Sequence, residues 1–219
     1  GYRALLARAK SRQDFHLLSL SAYGLGRSEM ARGQFEPARQ HFRTALLYRS
    51  ILGEKPYLLE IYNELGNVAL QQTRYRRAEE HFAQALRLAE QLEAPYFIAV
   101  LHNNIGVLAY LRGDLAPAEE HFARSYDFLR EIEEAAGQIA TGLNLGLLSA
   151  LRGNPQRAAG YLQRVRDLVY HTKQEGKQAL MLNHRGQHAL LSGKHLDALR
   201  DLLRSWAAFD RLAQDVQQV

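Results

Sequence analysis

Glycine returns every forty residues along this 219-residue chain, at Gly26, Gly66, Gly106, Gly146 and Gly186. Twelve positions after each stands an alanine: Ala38, Ala78, Ala118, Ala158 and Ala198. Four further on comes a large apolar residue, Phe42, Phe82, Phe122, Leu162 or Leu202, and Gly33, Thr73, Gly113, Gly153 and Gly193 keep the same step. No insertion breaks this register. A period of that size points to an array of supersecondary units, each burying its apolar face against its neighbours. The register divides the chain into a single array of five repeats, 19–58, 59–98, 99–138, 139–178 and 179–218, with residues 1–18 before them.

Each unit reads as two helices. In the second, Ile61, Leu65, Val68 and Ala69 recur at helical spacing, Thr73 stands at the turn, and Tyr75, Ala78, Phe82, Ala85 and Leu86 make a second apolar face. Glycine at the turn position suits a helix stop, because it takes a left-handed terminal conformation without strain. Asn154 before Pro155 reads as an N-cap with proline in the first turn, and Pro37 and Pro117 fall in first turns as well. A glycine inside a helix costs roughly 1 kcal/mol relative to alanine, so Gly66 needs a packing reason. Close approach of the two helices supplies one, with the ring of Phe82 filling the gap beside Gly66.

Composition narrows the function. Apolar residues make up 47% and charged residues 23% of the chain, which suits a folded globular protein and excludes wholesale disorder. There is no cysteine, which removes disulfides, thiolate metal sites and Cys nucleophiles and suits a reducing, cytoplasmic compartment. No apolar run is long enough for a membrane span, so no membrane partner is expected. The net charge of +5 conceals three blocks of +6, −6 and +5, over residues 1–55, 56–140 and 141–219. That alternation is unlike the continuous basic stripe of a nucleic-acid groove, so no nucleic-acid partner is expected.

A first helix ending its stripe in Leu-Gly, then Ala, an aromatic four residues on and a small residue three later, resembles the tetratricopeptide repeat. The second unit matches through Leu65, Gly66, Tyr75, Ala78, Phe82 and Ala85, and the third through Ile105, Gly106, Gly113, Ala118 and Phe122. The unit departs from the usual 34 residues, and the proline that usually closes the second helix is replaced by Ser50, Glu90, Arg130, Tyr170 and Asp210. Helices about three residues longer account for the difference. Forty-residue units of this kind are similar to those of kinesin light chains and of the sensor regions of bacterial multi-domain regulators, including LuxR-type activators. The resemblance implies an all-α, right-handed superhelical solenoid of antiparallel helix pairs.

The ends fit the same register. Tyr2 to Asp14 aligns with a second helix, so residues 1–18 are expected to belong to a preceding partial repeat. Trp206, Phe209 and Leu212 have little sequence after them to cover them, which predicts either a piece of a larger protein or ends buried by oligomerisation.

No catalytic motif is found. Neither G-x-S-x-G nor H-E-x-x-H occurs, and His195 rather than Ser or Thr follows the Gly-Lys of LLSGKHLD. His41, His81 and His121 share one repeat position, too far apart to enter a common ligand sphere, and read as packing or solvated residues. His184 and His188, one helical turn apart, with His195 nearby, are weak candidates for a metal, but Arg185 stands where a zinc protease needs Glu. No cofactor and no enzymatic activity are expected.

The asparagines stand out more. Asn63, Asn103 and Asn183 share one repeat position, and Asn104 and Asn144 the next, although Asn is a mediocre helix former. In the family, this part of the first helix lines the concave face and its amides hold an extended peptide; the resemblance implies that role here. An amide donates and accepts together, as a peptide backbone requires. The same amides can instead tie neighbouring helices to one another. By the same register the inner face presents Tyr23, Arg27, Met30, Asn67, Tyr110, Leu147 and Gln187, a mixed lining suited to a peptide or a helix in a groove. Arg27 is its one basic residue, which argues against a ligand held by its terminal carboxylate. Arg32, Arg112 and Arg152, just before the turn glycines, face the negative helix end, where dipole stabilisation suffices to explain them.

The expected function is therefore protein or peptide binding by a scaffold or regulatory module of a larger bacterial protein. The alternative is a sensing domain that binds a small molecule and controls an attached output domain.

Overall fold

The computed structural model describes residues 14–172, and among them every regular element is an α-helix. In chain order these are α1 (Phe15–Ala31), α2 (Phe35–Leu52), α3 (Lys55–Gln71), α4 (Tyr75–Gln91), α5 (Pro95–Arg112), α6 (Leu115–Glu131), α7 (Ala135–Leu151) and α8 (Pro155–Thr172). Each is 17 or 18 residues long. A new helix begins every twenty residues, so the forty-residue period is two helices and their turns. Within each compact unit, turns this short make consecutive helices antiparallel neighbours.

The starts follow from capping chemistry. Asp14 Oδ1 accepts the Leu17 amide at 3.0 Å, and Asn154 Oδ1 accepts the Arg157 amide at 3.0 Å, as the Asn-Pro pair predicts. Proline opens α3 and α5, where its missing N–H costs nothing. The stops obey the register more strictly than composition suggests. Gly33, Gly113 and Gly153 take φ of +72°, +86° and +73°, and Thr73 is forced to the same region at +55°. A second series, unmarked by recurring glycine, closes the other helices: Gly53, Glu93 and Glu133 all have positive φ. Behind Gly33 the amide of Gln34 bonds the Glu29 carbonyl at 2.9 Å, satisfying an acceptor that the helix end leaves open.

The chain divides into two compact units, Gly1–Gly113 and Asp114–Val219. In the first, Ala22, Ala38, Phe42, Ala45, Ile61, Leu65 and Val68 form one core cluster, and Leu59, Ala78, Phe82, Ala85, Ala89, Leu101 and Leu108 lie in another. Phe42 and Phe82 are fully buried. Burial of a ring that size stabilises by roughly 3 kcal/mol, and it requires the facing glycine. A β-carbon on Gly26 would stand 2.6 Å from Cε1 of Phe42, and Phe82 stands against Gly66 in the same way in the next pair. In the second unit, Ile139, Leu143 and Val165 are the core, with Leu162 and Leu168 against them. Gly146 there faces Leu162, whose Cδ2 would be 3.2 Å from an added β-carbon.

Candidate functional site

In the first unit the helices that open each repeat, α1, α3 and α5, carry most of the expected lining. Asn63, Asn67, Asn103 and Asn104 are half-buried on α3 and α5, Arg27 on α1 is exposed, and Tyr110 on α5 is 36% exposed. Apart from Arg112 at its end, α5 contains no Asp, Glu, Lys or Arg. Besides Arg112, its polar side chains are the amides of Asn103 and Asn104, the phenols of Tyr96 and Tyr110 and the buried imidazole of His102.

One amide pair spans two of these helices. Asn104 Nδ2 donates to Asn63 Oδ1 at 2.9 Å. The bond ties α5 to α3, and it orients both amides. It uses one of two N–H groups on Asn104 and one lone pair on Asn63, so each amide keeps further donor and acceptor capacity. Asn103 is half-buried and already engaged within the protein.

Next to the amides lies a charged cluster on α1 and α3. The Tyr23 ring packs 5.8 Å from that of Phe42, and Glu64 and Glu60 lie near its hydroxyl. Burial, with Glu64 and then Glu60 nearby, pushes the Tyr23 phenol well above its ordinary value. Burial also raises the Glu64 carboxyl, and Glu60 adds to that, while a hydrogen bond from Asn67 and the charge of Arg27 pull it down. Met30, expected on the inner face, is half-buried and packs against the Phe42 cluster, so it belongs in part to the core.

Beside this cluster is a cavity of about 100 Å³, lined by Ser19, Leu20, Tyr23, Arg49, Tyr57, Glu60 and Ile61. Arg49 is 6% exposed. Its guanidinium lies 3.8 Å from the centre of the Tyr57 ring and pairs with Glu54. A buried charge is tolerated only with such partners. Glu60, Arg49, Leu20 and Tyr57 were not among the residues expected from sequence. The available signal was a register break: Arg49 occupies the position that holds buried Ala89 and Leu129 in later second helices.

In the second unit Asn144 and Leu147 are half-buried on α7, a helix with no charged residue, and Asn144 is engaged within the protein. Arg152 and Arg157 both pair with Glu119, and with Ser149 and Asn154 they line a cavity of about 190 Å³. The first unit has the same contact, Arg112 Nη2 to Glu79 Oε2 at 2.8 Å. These arginines are thus bridges to the preceding second helix, more than the dipole partners expected from their position.

Burial lowers the His81 and His121 imidazoles, and His81 lies 6.2 Å from the Tyr62 ring, in keeping with packing. Among the described residues no group of three His, Asp or Glu side chains is placed to hold a metal ion, and no helix is long and apolar enough to cross a membrane. Asn183, Gln187, His184, His188, His195, Trp206, Phe209 and Leu212 lie outside the described residues.

Known proteins agree with this arrangement. Two family models, each described as tetratricopeptide repeat, match residues 4–91 and 63–138. No curated protein matches in sequence. Among solved structures, BtubC (BKLC) from P. vanneervenii is 16% identical with a TM-score of 0.79, over 97% of this chain and 89% of that one. A putative kinesin light chain with nearly identical TPR-like repeats from Podosopora anserina is 14% identical, TM-score 0.70, over 89% of this chain and 95% of that one. The Rap conjugation gene regulator of the plasmid pLS20, solved in complex with the Phr* peptide, is 16% identical, TM-score 0.73, over 88% of this chain but 51% of that one. At such identities the likeness is one of fold. With the forty-residue register, the helix pairs and the two family matches in agreement, the chain belongs to the tetratricopeptide repeat family.

Proposed function

We propose that this chain is a protein-interaction module that holds an extended peptide, or one face of a helix, along its first-helix surface, as a regulatory part of a larger bacterial protein. The observation that carries the reading is the Asn63–Asn104 pair, a preoriented set of amides with hydrogen-bonding capacity left over. Its setting beside the uncharged α5 favours a ligand recognised by backbone and apolar side chains. The peptide complex of the pLS20 regulator supports the choice by analogy of fold. The reading assigns no catalysis to the chain.

The cavity beside Tyr23 is smaller than a typical small-molecule pocket. Pockets for small ligands measure roughly 300–1,000 Å³. The cavity at Tyr23 and Arg49 is about 100 Å³, room for one side chain.

The test is selection of binders from a random peptide library on the full chain, followed by titration of an enriched peptide. Asn103→Ala, Asn104→Ala and Asn144→Ala together should weaken binding while helical circular dichroism is retained. Unchanged affinity overturns the assignment.

A further inference from the structure

The cavity between α1, α2 and α3 is amphipathic. Leu20, Tyr57 and Ile61 supply apolar wall, and Glu60 supplies a carboxylate. Leu20 and Tyr57 are 50% and 46% exposed, so apolar surface is open to a ligand at this point. The neighbouring charges do not balance. Arg49, matched by Glu54 and covered by the Tyr57 ring, and Arg27, which acts on Glu64, stand among three carboxylates, Glu54, Glu60 and Glu64. Glu60 lines the cavity beside Tyr23, and a carboxylate has about four acceptor sites.

These features select among the side chains a bound peptide could insert. A purely apolar side chain would fill the volume and strip water from Glu60 without pairing it, which is unfavourable. An acidic one would meet the Glu60 carboxylate, with Glu64 close to Tyr23 behind it. A long basic side chain satisfies both requirements, because its methylene stem covers apolar surface while its charged head stays polar. We propose that this cavity is a specificity subsite for an Arg or Lys side chain of the peptide ligand, with the stem against Leu20, Tyr57 and Ile61 and the cation on Glu60. The inference rests on the peptide-binding reading and adds to it the chemistry of one ligand position. The subsite is peculiar to this place in the array: the register mates of Glu60 are the apolar Leu20, Val100 and Ala140.

The experiment is selection from a random peptide library on the full 219-residue chain, carried out in parallel with Glu60→Gln and Glu60→Lys. Circular dichroism checks that each variant is folded. The wild type should enrich Arg or Lys at one peptide position by about tenfold over its library frequency. Glu60→Gln should lose that enrichment, and Glu60→Lys should replace it with Asp or Glu. Enriched peptides lacking a basic position, or an unchanged preference in both variants, overturn the subsite while leaving peptide binding intact. Failure of the wild type to enrich any peptide overturns the peptide reading and the subsite with it.

Discussion

Gly66 lies against the ring of Phe82, whose Cδ1 would stand 2.5 Å from a β-carbon placed on that glycine. Phe82 is fully buried among Ala78, Ala85 and Leu101 and has no room to withdraw. Gly66→Ala should therefore destabilise by about 1–2 kcal/mol, an overpacking cost of up to roughly 3 kcal/mol offset by the better helix propensity of alanine. Gly146→Ala, whose β-carbon would meet half-buried Leu162 at 3.2 Å and the Ala158 carbonyl only at an ordinary 3.7 Å, should cost less and be near neutral. Urea denaturation compares the two. Phe82→Leu combined with Gly66→Ala should recover part of the loss, a coupling that a double-mutant cycle detects.

Thr73 occupies a left-handed position at φ +55° that Gly33, Gly113 and Gly153 fill elsewhere in the register. A β-branched residue there carries strain of about 1 kcal/mol. Thr73→Gly should raise the melting temperature by roughly 3 °C, and Gly153→Thr should lower it by a similar amount. A differential-scanning measurement of both variants checks the sign at each end.

The Glu64 carboxyl is raised above its ordinary value of 4.5 by burial, so the folded state binds its proton more tightly than the unfolded chain does. Stability must then fall as pH rises from 4.5 through the raised value, because the native state is the one that resists ionisation. Glu64→Gln should remove that decline and leave the variant more stable than the wild type at neutral pH. Thermal melts across the carboxylate range decide it, and a wild type that gains on the variant as pH rises would contradict the assignment.

Arg112 and Arg152 join their helices to Glu79 and Glu119 of the preceding second helices. The Arg112 pair is exposed, so Arg112→Ala should cost no more than about 1 kcal/mol, with the effect shrinking in high salt. Denaturation at two salt concentrations reads this directly.

The fold was legible because packing recurs. Gly66, Ala78 and Phe82 repeat at fixed spacing since one close approach must be made in every pair, and the Asn154-Pro155 start is written in local chemistry. The second series of left-handed turns was not legible, because Glu93 and Glu133 accept that conformation under tertiary constraint without the glycine that would mark it. The site was legible only in part. Asn63 and Asn104 stood out as helix-disfavoured residues, yet their partnership links two different register positions and emerges from the stagger of α3 against α5. The Glu60 cavity depends on three helices meeting, and its sequence traces were two register breaks, Arg49 and Glu60 at positions that are apolar in other repeats.

The most direct test of a ligand-binding first-helix surface is to follow the side-chain amide NMR signals of Asn63, Asn67, Asn103 and Asn104 while the chain is titrated with a library-selected peptide. The account predicts that these signals shift together and saturate with the binding curve. Saturation with the four signals unmoved, and shifts confined to the outer faces of α2 and α4, would contradict it.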